Sequence, residues 1–514
     1  MTGAESLLTT LLAGGIDVCF MNPGTSEMQF VSALDRVPAM RGILCLYEGV
    51  CAGAADGYAR MLRRPASTLL HLGPGLANGL SNFHNARKAR SPIVNIVGEH
   101  ATHHLPYNAP LTADIAAFAR TVSGWVHVLD SVERMGEATA HAVAAARSAP
   151  GQVATLIVPA DFSWSEAGLP AAVHVSSAPA AASPEAVRLA ADHLRRGPES
   201  ALFLGGSTLL APSLAIAGRI AAATGARVFA DRFAARLDRG RGIYGPQRIA
   251  YFPEPAEAML AGVKHLVLVE SQAPVSFFGY PGRRSLLAPV DCECEVLAHE
   301  DEDGPAALEA LLHLVGDAAV AELPSGAPEL PEAGPLTLDA LGRAVAALLP
   351  EGAIVSDEMV SSGEPVANHL ALAAPHQHLP VTGGSIGQGL PVALGAAVAC
   401  PGRKVVALEA DGSAMYSLQA LWTMAREKLD VVVVIFANRR YRILEIETQR
   451  TGAGTPGPRA NEMMDIGRPT LDFVKLAEAQ GVPACRAATA DEFVAAFRRA
   501  VDVRGPYLIE ALVV

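Results

Sequence analysis

Short runs of aliphatic and β-branched residues recur along the whole chain, each followed by a stretch of helical length, and this rhythm restricts the fold class. In the first third the runs are Ile43–Tyr47, Thr68–Leu72, Ile93–Val97 and Ala154–Val158. Strands that alternate with helices imply a parallel sheet covered by those helices. The softer segment Ala178–Pro184 reads as a linker. A second unit then follows, with a helix over Pro184–Arg196 and strands at Ala201–Leu204, Val228–Ala230 and His265–Glu270. The Pro/Glu/Gly-rich piece Leu323–Pro335 closes it. A third unit begins with the helix Leu336–Leu348 and continues through strands at Ala353–Ser356, Lys404–Ala410, Val431–Ala437 and Tyr507–Ala511. The expected chain is therefore α/β, with three Rossmann-like, doubly wound parallel-sheet domains over 1–165, 184–325 and 335–514. The two outer ones share a pattern.

Composition excludes several functions. Hydrophobic residues at 50% against 18% charged describe a chain that buries large cores rather than a disordered one. A formal charge of −12 with no Lys/Arg run argues against a nucleic-acid partner. It does not bear on a diphosphate, which one divalent metal and a few backbone N–H groups can hold. The seven cysteines are scattered and form no Cys-x-x-Cys pair, so they read as reduced thiols, and Cys292 and Cys294 lack the second half of a zinc site. The first residues carry no basic start, and apolar runs such as Val431–Phe436 are too short for a bilayer. A cytoplasmic protein without a membrane partner is expected.

Chemistry concentrates at the strand ends. Asp411-Gly412-Ser413 follows one strand and Asn438 ends the next, so two oxygen ligands at neighbouring strand ends can converge on one hard cation. Gly412 allows close approach of a phosphate. In the first unit, the apolar run Ile43–Tyr47 ends in Glu48, an acid placed to share a proton with a nitrogen heterocycle. Thr382–Pro391 is glycine-rich and leads into the small-residue helix Val392–Cys400. Met21–Glu27 and Leu70–Gly75 follow two further strands, on the same edge as Glu48, which brings Thr25 and His71 within reach of a bound substrate. His71 is a candidate proton donor. The cluster His100, His103 and His104 has no further ligand at metal spacing and reads as a solvated loop.

Taken together, Ala410-Asp411-Gly412-Ser413 with Ala437-Asn438, and Glu48 with the helix through Arg60, resemble the thiamine diphosphate (ThDP) dependent 2-oxo acid decarboxylase and acetolactate synthase family. The resemblance implies that Glu48 bonds the aminopyrimidine, while the Gly384 carbonyl and the Ile386 wedge hold the pyrimidine. It further implies that Gly412 and Ser413 meet the diphosphate, and that Asp411, Asn438 and the carbonyl of Arg440 ligate Mg²⁺. The outer domains then become the pyrimidine-binding and diphosphate-binding domains. The Asn-Pro-Gly-x-x-Glu segment at 22–27 and His71 resemble benzoylformate decarboxylase, whereas Gly73-Pro74-Gly75 has the acetolactate synthase form. Two departures stand out: no second histidine occurs around Phe277–Pro281, and Ala160 stands where synthases carry lysine. The expected activity is non-oxidative decarboxylation of a small 2-oxo acid, with or without carboligation to a second carbonyl. The expected assembly is a homodimer or a homotetrameric dimer of dimers with sites at the interface. Alternatives are a flavin-containing acetolactate synthase proper, against which the short middle unit argues, and an inactive regulatory subunit of the same fold.

Overall fold

The computed structural model describes residues 1–174, 178–320 and 323–513. Six strands form the first sheet: β1 (Val18–Asn22), β2 (Arg41–Leu44), β3 (Ala66–Leu70), β4 (Ile93–Glu99), β5 (Trp125–Val128) and β6 (Val153–Pro159). All pair in parallel, in the order β2-β1-β3-β4-β6-β5. The middle region carries β7 (Ser200–Leu204), β8 (Arg227–Ala230), β9 (Leu237–Arg239), β10 (Gln247–Arg248), β11 (His265–Val269) and β12 (Glu293–Ala298). Five of these make a parallel sheet, β10-β8-β7-β11-β12. The last region adds β13 (Ile354–Glu358), β14 (His376–Pro380), β15 (Val405–Ala410), β16 (Val431–Phe436), β17 (Ala484–Ala487) and β18 (Tyr507–Ala511). Its sheet runs β17-β18-β16-β15-β13-β14-β9.

The edge strand β9 departs from the purely parallel expectation. It leaves the middle region and pairs antiparallel with β14, Leu237 opposite His378 and Arg239 opposite His376. The third sheet is therefore mixed, and the middle and last domains share a backbone ladder.

The outer domains are joined by two helices of small residues, Glu48–Leu62 and Gly389–Ala399. Every residue of the first except Leu62, and every residue of the second except Ala399, is buried. A Cβ on Gly57 would lie 2.2 Å from the Val392 carbonyl oxygen, and one on Gly395 would lie 1.9 Å from that of Ala54. The missing side chains let the backbones touch, and one apolar cluster containing Val50, Tyr58, Leu394 and Val431 runs through both domains. A buried ion pair, Arg60–Asp56 at 2.6 Å, pins the joint. Arg60 also donates to the carbonyl of Pro380 and to the Thr382 hydroxyl, and Asp56 accepts from Gln388. Removing one partner of such a pair costs about 3–5 kcal/mol, because the other charge is left buried.

Candidate active site

Strands β2, β1 and β3 lie side by side, so the segments after their carboxyl ends gather at one edge of the first sheet. Glu48 opens the helix after β2 and is buried. Its Oε2 accepts from Asn78 Nδ2 at 3.0 Å, and a Cβ on Gly75 would come within 3.3 Å of Oε1. Of its neighbours in the chain, Val50 and Cys51 are fully buried, but Leu46 is 47% exposed. Thr25 begins a short turn, Thr25–Glu27, and is exposed. His71 caps the helix Leu72–Lys88, and its Nδ1 lies 2.8 Å from Glu27 Oε2. Leu72 takes φ +50°, a left-handed backbone that is strained for leucine. Burial raises the Glu27 carboxyl above its usual range, and a Cβ on Gly98 would overlap Glu27 Oε1. Glu27 thus orients His71 by its Nδ1.

On the third sheet, β15 and β16 are neighbours and end at Ala410 and Phe436. Asp411, 2% exposed, accepts from the N–H of Gly412 at 2.8 Å and of Arg439 at 2.6 Å. Asn438 Oδ1 accepts from the Arg440 N–H at 2.9 Å. Asp411 and Asn438 therefore organise one turn, in which Arg439 is left-handed at φ +61°. Ser413 is buried beside Asp411. The Tyr441 ring covers Gly412, where a Cβ would lie 2.4 Å away, while Leu444 is exposed.

The Thr382–Pro391 segment sits between these two groups. Gly384 (φ +76°) and Gly387 (φ +91°) are both left-handed, and Ile386 is half-buried. The Phe277 ring of the middle domain presses on Gly384, 2.4 Å from where a Cβ would be. Phe277 in turn packs with Phe233, Tyr251 and Phe278. An aromatic wall therefore occupies the stretch in which no second histidine occurs.

One helix face holds the two halves together. On Leu72–Lys88, Asn78 donates to Glu48, and Asn82 reaches the carbonyls of Gly49 at 2.8 Å and Gly387 at 3.3 Å. Asn85 donates to the Ser385 carbonyl and accepts from its N–H. Asparagines at i, i+4 and i+7 share a helix face. That spacing was the available signal for these residues, which the motif comparison passes over.

Comparison with known proteins gives the family. The family model "Thiamine pyrophosphate enzyme, N-terminal TPP binding domain" matches residues 1–127, and the corresponding C-terminal TPP binding domain matches 361–511. A Mycobacterium tuberculosis chain that carries the name acetolactate synthase large subunit is 52% identical, covering 100% of this chain and 99% of its own length. The chain belongs to the thiamine pyrophosphate enzyme family. Benzoylformate decarboxylase of Pseudomonas aeruginosa is 28% identical over 96% of each chain. The solved ThDP-dependent 4-hydroxybenzoylformate decarboxylase of Rhodococcus jostii RHA1 superposes with a TM-score of 0.87 at 26% identity, covering 100% of this chain and 99% of that one.

The residues present suit the cofactor of this thiamine pyrophosphate enzyme. Burial lifts Asp411 to about 6, as expected for an acid shielded from water and held only by N–H donors, and a cation would relieve that cost. At Gly384 and Gly412 the Phe277 and Tyr441 rings take the space that a Cβ would fill. Elsewhere, His193, His265 and Glu293 approach one another at the opposite, amino-terminal edge of the middle sheet. There Arg196 donates to His265 Nε2, and His265 Nδ1 lies 3.1 Å from Glu293 Oε2. His103 and His104 are exposed in a loop, and all seven cysteines are free. Among the described residues no helix is long and apolar enough to cross a membrane.

Proposed function

We propose that this ThDP enzyme decarboxylates a small 2-oxo acid without oxidation, and can pass the remaining unit to a second carbonyl, as a Mg²⁺-dependent homodimer or dimer of dimers. The observation that carries this reading is Glu48: a buried carboxylate with one oxygen fixed by Asn78 and the other beside the bare backbone of Gly75. Bound ThDP supplies a carbon nucleophile and an electron sink for the pair released with CO₂. Glu48 would hold a proton at the pyrimidine ring nitrogen. The Gly384 carbonyl and Ile386 would hold the pyrimidine. Asp411, Asn438 and the carbonyl of Arg440 would hold Mg²⁺, with Gly412 and Ser413 beside the diphosphate. His71, steadied by Glu27, delivers a proton to the substrate side, and the Thr25 hydroxyl orients the carboxylate or carbonyl. The Phe277 wall excludes water.

A flavin has no part in this reading. The Gly205-Gly206-Ser207 turn, the place on the middle sheet where a phosphate would find donors, is filled by the chain's own Glu270. That carboxylate accepts from the Ser207 N–H, from the Ser207 hydroxyl at 2.8 Å and from the Gly304 N–H at 3.0 Å. The free thiols suit a reducing, cytoplasmic setting. The names of the Pseudomonas and Rhodococcus relatives support an aryl 2-oxo acid, and that of the mycobacterial relative supports pyruvate and carboligation.

The test is CO₂ release from pyruvate, benzoylformate and oxalyl-CoA, with product analysis for aldehyde against 2-hydroxy ketone, on the wild type and on Glu48→Gln. The variant should lose about 10²–10⁴-fold in turnover while still binding ThDP. Unchanged turnover would refute the role of Glu48, and no CO₂ from any 2-oxo acid would refute the reaction.

A further inference from the structure

Directly beneath the Gly384–Gly389 turn lie two buried carboxyls that no step above uses. Glu358 ends β13 and Glu409 lies near the end of β15, and the parallel register sets them opposite each other. They are 1% and 0% exposed. Glu358 Oε1 accepts from the Gly387 N–H at 2.7 Å, and Oε2 accepts from the Gly389 N–H. The Ser356 hydroxyl on the same strand donates to the Gly389 carbonyl at 2.8 Å. Both oxygens of Glu409 are buried and receive no N–H or hydroxyl donor among the described residues. The two side chains close on Gly389: a Cβ there would lie 2.1 Å from Glu409 Oε2 and 3.0 Å from Glu358 Oε2.

The N–H groups of Gly387 and Gly389 both end on Glu358, and the Ser356 hydroxyl of the same strand holds the Gly389 carbonyl, so the turn is fixed from one strand end. We propose that Glu358 is a positioning residue for the cofactor, its carboxyl fixing the Gly387–Gly389 backbone and thereby the Gly384 carbonyl and Ile386. Because Glu409 closes on the same Gly389 from β15, the turn is also packed against the strand that leads to Asp411. The inference rests on ThDP binding at the Gly384 turn.

Glu358→Gln, Glu409→Gln and the wild type are compared by ThDP titration with Mg²⁺, thermal melting of the cofactor-free protein, and steady-state kinetics. Glu409→Gln leaves the Glu358 bonds to Gly387 and Gly389 in place and should hold ThDP affinity within about threefold of wild type. Glu358→Gln turns an amide N–H₂ against a backbone N–H, and should weaken ThDP binding at least about tenfold and lower kcat, with the substrate KM unchanged. Wild-type affinity in Glu358→Gln, or a fall only in the cofactor-free melting temperature, overturns the positioning role. Equal losses in both variants overturn the assignment of the effect to the Gly387 and Gly389 bonds. Should Glu358→Gln fail to fold, Ser356→Ala, which frees the Gly389 carbonyl of the same turn, decides: ThDP binding weaker by at least about threefold is expected, and wild-type affinity overturns the proposal. A wild type that binds no ThDP fails the cofactor reading instead.

Discussion

Asp411 holds two N–H groups in a site shielded from water, and burial lifts its carboxyl from 3.8 to about 6. The sign runs opposite to that of a salt-bridged aspartate. The metal-free folded chain binds the proton more tightly than the unfolded chain, so this residue favours folding below pH 3.8 and that contribution is lost as pH rises through 6. Mg²⁺ must displace the same proton, so its affinity in the presence of ThDP should rise about tenfold per pH unit up to about 6 and level off above. Calorimetric titration at several pH values checks this, and a flat profile across that range contradicts it. Candidates of this kind are legible in sequence because each stands at the end of an apolar run: Asp411 after Val405–Ala410, Asn438 after Val431–Phe436, Glu48 after Ile43–Tyr47. Glu27, Asn78, Glu358 and Glu409 are not, because the partner that gives each its meaning lies tens of residues away.

The helices Glu48–Leu62 and Gly389–Ala399 are element-scale counterparts of those residues, since each starts at a cofactor segment and continues into the domain joint. Their glycines lie where the backbones meet. Gly395→Val would drive a side chain into the Ala54 carbonyl, already 1.9 Å from an added Cβ, with rigid helix on both sides. Overpacking of this sort costs about 1–3 kcal/mol or more, so the variant should melt several degrees lower and lose ThDP with it. Gly245→Ala, where nothing lies within 4 Å, should fall within about 0.5 kcal/mol of wild type by urea unfolding. Equal stability of the two variants would show that the joint is not packed backbone to backbone. The small-residue runs could be read as helices because their composition leaves little else. Strand β9 could not: Leu237–Arg239 is three residues long and gains its strand character only by pairing with β14, far along the chain.

At the scale of the whole molecule, three domains follow from the rhythm of strands and helices, but assembly depends on side-chain complementarity that no rhythm encodes. The segments around the site carry the clue. Leu46, just before Glu48, is 47% exposed, and Met415 and Tyr416, just after the Asp411 turn, are 40% and 55% exposed. Apolar side chains left in water beside both halves of a cofactor site fit a surface that a second copy covers. Where a second copy closes over both halves of the site, cofactor retention and association become one equilibrium. Light scattering should give a multiple of 53.4 kDa, and serial dilution should lose activity and bound ThDP together, with excess ThDP and Mg²⁺ shifting the midpoint to lower protein concentration. A monomer that keeps full turnover would separate the two equilibria, and would require each chain to complete the site with its own Glu48.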